Sequence, residues 1–84
     1  MWTVYIIEAS DHSLYTGIST DVERRWQEHM QGKSGAKFFR GRKPSKLVYK
    51  ETVANRSEAS QREAFIKKMS RAAKLRLIAL GPND

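Results

Sequence analysis

Two short runs rich in β-branched and aromatic residues, Thr3-Val4-Tyr5-Ile6-Ile7 and Ser13-Leu14-Tyr15-Thr16-Gly17-Ile18, flank the polar, turn-prone Asp11-His12-Ser13. This pattern predicts a β-hairpin over 2–8 and 13–18. A two-stranded hairpin is marginal in water, so the rest of the chain must supply a further strand and helices to cover it. A helix start follows directly: Thr20 and Glu23 have the spacing of a capping box. That helix is expected to run to about Gln31 and stop at Gly32. Its apolar positions Val22, Trp26 and Met30 recur every four residues and define one buried stripe.

Residues 32–45 hold three glycines and one proline among many cations and read as an exposed, movable loop. Residues 46–53, Lys46-Leu47-Val48-Tyr49-Lys50-Glu51-Thr52-Val53, predict a third strand, although their alternation is mixed. Asn55 or Ser57 is expected to cap a second helix reaching about Lys68, with Ala59, Ile66 and Met69 inward and Phe65 beside them. Ser70 caps a third, with Ala73, Leu77 and Leu80 inward and Gly81-Pro82 ending it. The expected fold is α+β, a three-stranded antiparallel sheet flanked by helices in the order β-β-α-β-α-α. All 84 residues (1–84) are expected to form a single domain. There is no cysteine for disulfides or thiolate metal sites. No secretory signal pattern and no membrane-spanning apolar stretch is seen, so a cytoplasmic protein without membrane contact is expected.

The net charge of +7 is concentrated: Lys33, Lys37, Arg40, Arg42, Lys43, Lys46 and Lys50 share a segment without acids, and basic and acidic residues cancel elsewhere. Such a patch steers polyanions towards itself, and nucleic-acid phosphate is the natural partner; a solubilising loop is the plainer alternative.

Helical spacing puts charges where core residues belong. Arg25 borders the Val22–Trp26 stripe, His29 follows it by four, and Glu63 falls on the inner stripe of the second helix. A carboxylate there needs a partner. Arg25 and Glu63 pairing across two helices would satisfy both. Alternatively, the Arg25 guanidinium faces a phosphate and Glu63 holds a divalent cation with waters and phosphate oxygens. Tyr5 and Tyr15 share parity. Whether they share a sheet face depends on hairpin register, and either can be a packing residue.

Together these residues resemble the GIY-YIG nuclease superfamily. Val4-Tyr5 stands where that family has its first Ile-Tyr, and Tyr15-Thr16-Gly17 where it has Tyr-Ile-Gly. Asp21–His29 resembles its arginine-bearing helix, with Arg25 on the catalytic arginine, and Arg62-Glu63-Ala64 resembles the segment carrying its metal-binding glutamate. The similarity covers nearly the whole chain and is greatest to the small stand-alone bacterial branch, whose basic loop 32–44 resembles. Thr3 replaces the first glycine. Ile18 stands where some relatives have a lysine, a place that Lys37 or another loop cation would have to fill.

The resemblance implies an endonuclease that hydrolyses DNA phosphodiester bonds with one Mg²⁺ or Mn²⁺, with structure-specific action in repair or recombination as its narrower form. Its implied catalytic residues are Tyr5, Tyr15, Arg25, His29 and Glu63, with Glu63 as the metal ligand and Tyr5 the first choice of base. Lys33, Lys37, Arg40, Arg42 and Lys43 would grip the nucleic-acid backbone, DNA rather than RNA, without reading sequence. The alternative is a nucleic-acid-binding module of the same fold that does not cut; a third reading is a scaffold recruiting a protein partner through the third helix. The nuclease reading requires the two phenols, the guanidinium and the carboxylate to surround an opening that admits a sugar-phosphate strand.

Overall fold

A computed structural model describes residues 1–32 and 37–81. Strands β1 (Trp2–Ala9), β2 (Leu14–Ser19) and β3 (Pro44–Val53) form one antiparallel sheet in the order β2-β1-β3. Helices α1 (Val22–Met30), α2 (Arg56–Lys67) and α3 (Arg71–Leu80) complete the expected β-β-α-β-α-α order, with one 3₁₀ turn, Lys37–Phe39, between α1 and β3. No helix of the described residues is long and apolar enough to cross a membrane.

Alternation along β1 sorts its side chains between two faces. Val4 and Ile6 point to one, where they bury against Tyr49 of β3 and Ala59 and Ile66 of α2; Met69, Leu77 and Ile78 close the edge of this core. Tyr5, Ile7 and Ala9 point to the other, and all three are buried. Here α1 and the 3₁₀ turn lie over the sheet, so the sheet is sandwiched between helical layers.

The mixed alternation of β3 has a structural cause. Ile6 pairs with Tyr49 but Ile7 pairs with Leu47, so β3 carries an extra residue at Val48. A second irregularity lies between Glu8 and Ala9, which pair with Lys46 and Pro44. Each bulge resets the two-residue phase. The strand begins at Pro44, not Lys46, in a position where a missing N–H is tolerated.

Local details depart from the expectation in four places. The first helix is capped by Asp21, whose carboxylate accepts from the Arg24 amide at 3.0 Å, while the Ser19 hydroxyl accepts from the Asp21 amide at 2.9 Å. The Thr20–Glu23 box is displaced because the acid at position 21 supplies both a cap and a charge suited to the helix N-terminus. The inward position at the end of α1 belongs to His29 rather than Met30, which is exposed: seven residues after Val22 complete two turns. Phe65 is also exposed and lies near the Arg62 guanidinium. Leu80, on the last turn of α3, is 86% exposed because the helix has run past the core. Asn55, not Ser57, caps α2, and Glu58 reaches back to the Ala54 amide. Ser70 caps α3 as expected.

Candidate active site

The hairpin register settles what parity alone left open. Tyr5 lies opposite Gly17 and Tyr15 opposite Ile7, so the two phenols sit diagonally on one face with ring centroids 6.3 Å apart. The glycine has a steric reason: a Cβ at Gly17 would fall 2.6 Å from the Tyr5 hydroxyl oxygen and 2.7 Å from Cζ. The Tyr5 ring occupies the space that any larger residue in the Tyr15-Thr16-Gly17 run would need.

Arg25 and His29, one helical turn apart on α1, descend on this face. The His29 ring is 5.3 Å from Tyr15, and its Nε2 is 3.1 Å from the Tyr5 hydroxyl. The phenol hydroxyl can donate to His29 Nε2, and the nearby Arg25 guanidinium counteracts part of the rise that burial imposes on the phenol. Burial, reinforced by the Arg25 charge, pushes His29 down to about 4, so the imidazole is neutral at physiological pH and able to accept. Burial raises the Tyr5 phenol, only partly offset by Arg25. Tyr5 is therefore a neutral, sealed phenol (1% exposed), and His29 is equally enclosed. The base role that the resemblance implies for Tyr5, directly or through water, thus falls on an enclosed phenol whose hydroxyl is 3.1 Å from His29 Nε2.

Three of the expected residues do reach the surface. Tyr15 is half-buried, and the side chains of Arg25 and Glu63 are 27% and 24% exposed. The Arg25–Glu63 pair left open by periodicity is not formed. Arg25 Nη1 donates to Glu28 at 2.8 Å, one turn along α1, and Glu63 pairs with Lys67 at 3.4 Å, one turn along α2. The Glu63 charge adds the smallest contribution to raising the Tyr5 phenol, behind burial and Tyr15. Among the described residues no cluster of three or more His, Cys, Asp or Glu is arranged to hold a metal. A single partly exposed carboxylate fits a Mg²⁺-type ion that takes its remaining ligands from water and substrate phosphate, and does not fit an ion enclosed by protein ligands.

Of the expected phosphate-binding cations, Lys37, Arg40 and Lys43 are exposed. Arg42 is held by Asp11, with Nε 3.4 Å from the carboxylate. Lys33 lies outside the described residues.

The sequence reading missed two features. Phe38 and Phe39, taken as loop, pack on the site: both ring centroids lie about 5 Å from Tyr15, and Phe39 is 4.7 Å from His29. Two adjacent aromatics amid basic residues were the available signal. The second is a network on the opposite face, where Tyr49 and Arg62 both donate to Glu51, at 2.8 and 2.9 Å. Sequence spacing gives no sign of it, because it joins a bulged strand to a helix.

The sequence profile of the GIY-YIG catalytic domain matches residues 1–76. The UPF0213 protein of Syntrophus aciditrophicus (strain SB) is 54% identical over 79 residues, covering 94% of this chain and 91% of the relative. The UPF0213 protein YhbQ of Escherichia coli (strain K12) is 46% identical over 80 residues, covering 95% of this chain and 79% of YhbQ. The solution NMR structure of the UPF0213 protein BH0048 from Bacillus halodurans, 44% identical, superposes with a TM-score of 0.60 and covers 95% of this chain and 85% of that one. A profile match over nearly the whole length, on a hairpin–helix frame that gathers two tyrosines, an arginine and a histidine, shows that this chain belongs to the GIY-YIG family, alongside the UPF0213 proteins.

Proposed function

We propose that this protein is a divalent-metal-dependent endonuclease that hydrolyses phosphodiester bonds in DNA, acting in the cytoplasm on branched, flapped or nicked structures that arise in repair and recombination. Family membership gives the class, nuclease-type action on nucleic acid. The observation that carries the finer reading is that Tyr5, Tyr15 and His29 gather on one face of the sheet, with Arg25 one helical turn before His29 and its side chain reaching solvent. The same face receives Phe38 and Phe39 from the segment that holds the excess positive charge.

Substrate contact falls to the three groups that reach solvent. Arg25, anchored by Glu28 at 2.8 Å, faces the phosphate and stabilises charge developing on its oxygens. Tyr15 orients the attacking water and shuttles its proton, taking it as the phenol proton passes to solvent. Glu63 would hold the metal, and a bound Mg²⁺ or Mn²⁺ supplies Lewis acidity at the phosphate oxygens. Tyr5 and His29 act from behind as positioning residues: their hydrogen bond fixes the Tyr5 phenol and holds the imidazole of the helix that carries Arg25. Lys37, Arg40 and Lys43 hold the flanking backbone.

The binding-module reading draws on one observation, the enclosure of Tyr5 and His29. Incubation of the purified protein with forked, nicked and single-stranded DNA in Mg²⁺ or Mn²⁺, with RNA in parallel, separates the two. Cleavage is expected to need the metal and to fall on the order of 10²–10³-fold in Arg25→Ala and Glu63→Ala, with DNA still bound. Binding without cleavage under every condition establishes the module instead. Cleavage that survives both substitutions removes these residues from the mechanism.

A further inference from the structure

The aromatic cluster over the sheet contains more than a small core requires. Phe39 has an evident packing role, lying against both Tyr15 and the enclosed His29. Phe38 does not reach His29. It touches Tyr15 at 5.2 Å and Phe39 at 5.0 Å, and the Arg42 guanidinium carbon lies 4.5 Å from its ring centroid. Gly41, at φ +79°, provides the left-handed turn just before Arg42. The guanidinium is restrained on two sides, by Phe38 and by the Asp11 carboxylate at 3.4 Å.

Those restraints indicate the ligand. The Asp11 carboxylate answers much of the Arg42 charge and disfavours a phosphate at the same place. Arg42, with its side chain 35% exposed, and the half-buried Phe38 still offer flat, polarisable surface, restrained by Asp11, Tyr15 and Phe39 and therefore cheap to bind against. Flat surface of this kind, an aromatic ring or a guanidinium plane, is what unstacked nucleobases use. A base within a duplex has both faces covered by its neighbours, so only an unpaired one can occupy such a surface. Tyr15 connects the pair to the proposed cleavage site, lying against Phe38 on one side and the Tyr5–His29 pair on the other.

We infer that Phe38 and Arg42 form a stacking platform for one unpaired nucleobase next to the scissile phosphate. The preferred substrate is then nucleic acid with an unpaired nucleotide at the cut: a single strand, a flap or a fork, rather than continuous duplex. The inference rests on the nuclease reading for the word "scissile" alone; the platform itself is a binding site.

Its test is a binding measurement on the full chain in EDTA, where cleavage plays no part. Fluorescence anisotropy compares a labelled single strand with a blunt duplex of equal length, as DNA and as RNA. The single strand should bind more tightly. Phe38→Leu should weaken the single strand by about tenfold or more and leave the duplex unchanged, while Phe38→Trp should restore it. In a second measurement, an abasic site is walked through a strand bound by the wild-type protein. Affinity should drop at one or two positions rather than uniformly. Equal weakening of single strand and duplex by Phe38→Leu would make Phe38 a loop fastener and overturn the platform. So would an abasic walk without position dependence, which decides the matter alone if Phe38→Leu fails to fold. Single-strand preference without any cleavage on adding metal would remove the nuclease chemistry and keep the platform. Failure to bind any oligonucleotide would remove both.

Discussion

His29 is a titratable ring held where it resists taking a proton. Burial is the main cause and the Arg25 charge the second; Glu28 opposes them, and the result lies near 4 against an ordinary 6.5. The sign of the consequence follows from proton counting. Between these two values the unfolded chain binds a proton that the folded chain refuses, so stability falls as pH drops through that window, by about 3 kcal/mol at most. Below the folded value the loss is complete. Urea midpoints measured from pH 7.5 down to 4 should show this fall, and His29→Gln, which keeps an acceptor for Tyr5 but does not titrate, should flatten it. An unchanged slope in His29→Gln would assign the pH dependence to other groups. The same neutrality bears on catalysis: cleavage by the wild-type protein should show no inflection near pH 6.5 from His29. The residue types were legible in the sequence, since Arg25 and His29 stood out by helical spacing and Tyr5 and Tyr15 by the family resemblance. Their division into enclosed and exposed members was not, because burial depends on what the 3₁₀ turn places over them.

Among the elements, β3 and α2 are joined by a device that hydrophobic patterning could not reveal. Glu51 is buried, and it accepts from the Tyr49 hydroxyl and from Arg62 Nε. The bond from Arg62 ties α2 to the sheet one residue before Glu63, so it helps to fix the rotation of the helix that presents the carboxylate. Glu51→Ala leaves a buried phenol and a partly buried guanidinium without their acceptor and should cost about 2 kcal/mol in chemical denaturation. Adding Arg62→Met should recover part of that loss, since an apolar replacement removes the uncompensated charge. If the double variant is no more stable than the single, Arg62 is not bound to Glu51 in the way described. Helix starts were easier to read. Asn55 and Ser70 were identifiable because a cap is a local interaction of a side chain with an amide three residues on. The Asp21 cap was misplaced by one residue because three potential capping residues, Ser19, Thr20 and Asp21, stand in a row.

Over the whole molecule, charge is the organising feature. The basic segment emerges beside the tyrosine face, with Lys37, Arg40 and Lys43 exposed and Arg42 engaged by Asp11 and Phe38. Exposed lysines and arginines that contact phosphates release counterions, and each contributes roughly 0.9 to the slope of log affinity against log salt on duplex DNA. Replacing Lys37, Arg40 and Lys43 together with alanine should lower affinity at low salt and reduce that slope by about 2–3. Replacing Arg42 alone should change the slope less, because Asp11 already answers its charge. An unaltered slope in the triple variant would move the phosphate-binding surface elsewhere.

What the sequence determined by itself was whatever depends on short-range order: strands from β-branched and aromatic runs, helices from caps and periodicity, and a concentration of charge that no fold could disperse, because seven cations lie within one acid-free segment. What only the tertiary structure decided was which of these groups meet and which meet water. Hairpin register put Tyr5 and Tyr15 on one face, two bulges set the phase of β3, and the 3₁₀ turn folded Phe38 and Phe39 onto the site. The physical reason is one of range. Propensity and capping act across a few residues, whereas burial, pKa shifts and ring contacts arise between segments far apart in the chain and exist only once the sheet and its two helical layers have closed.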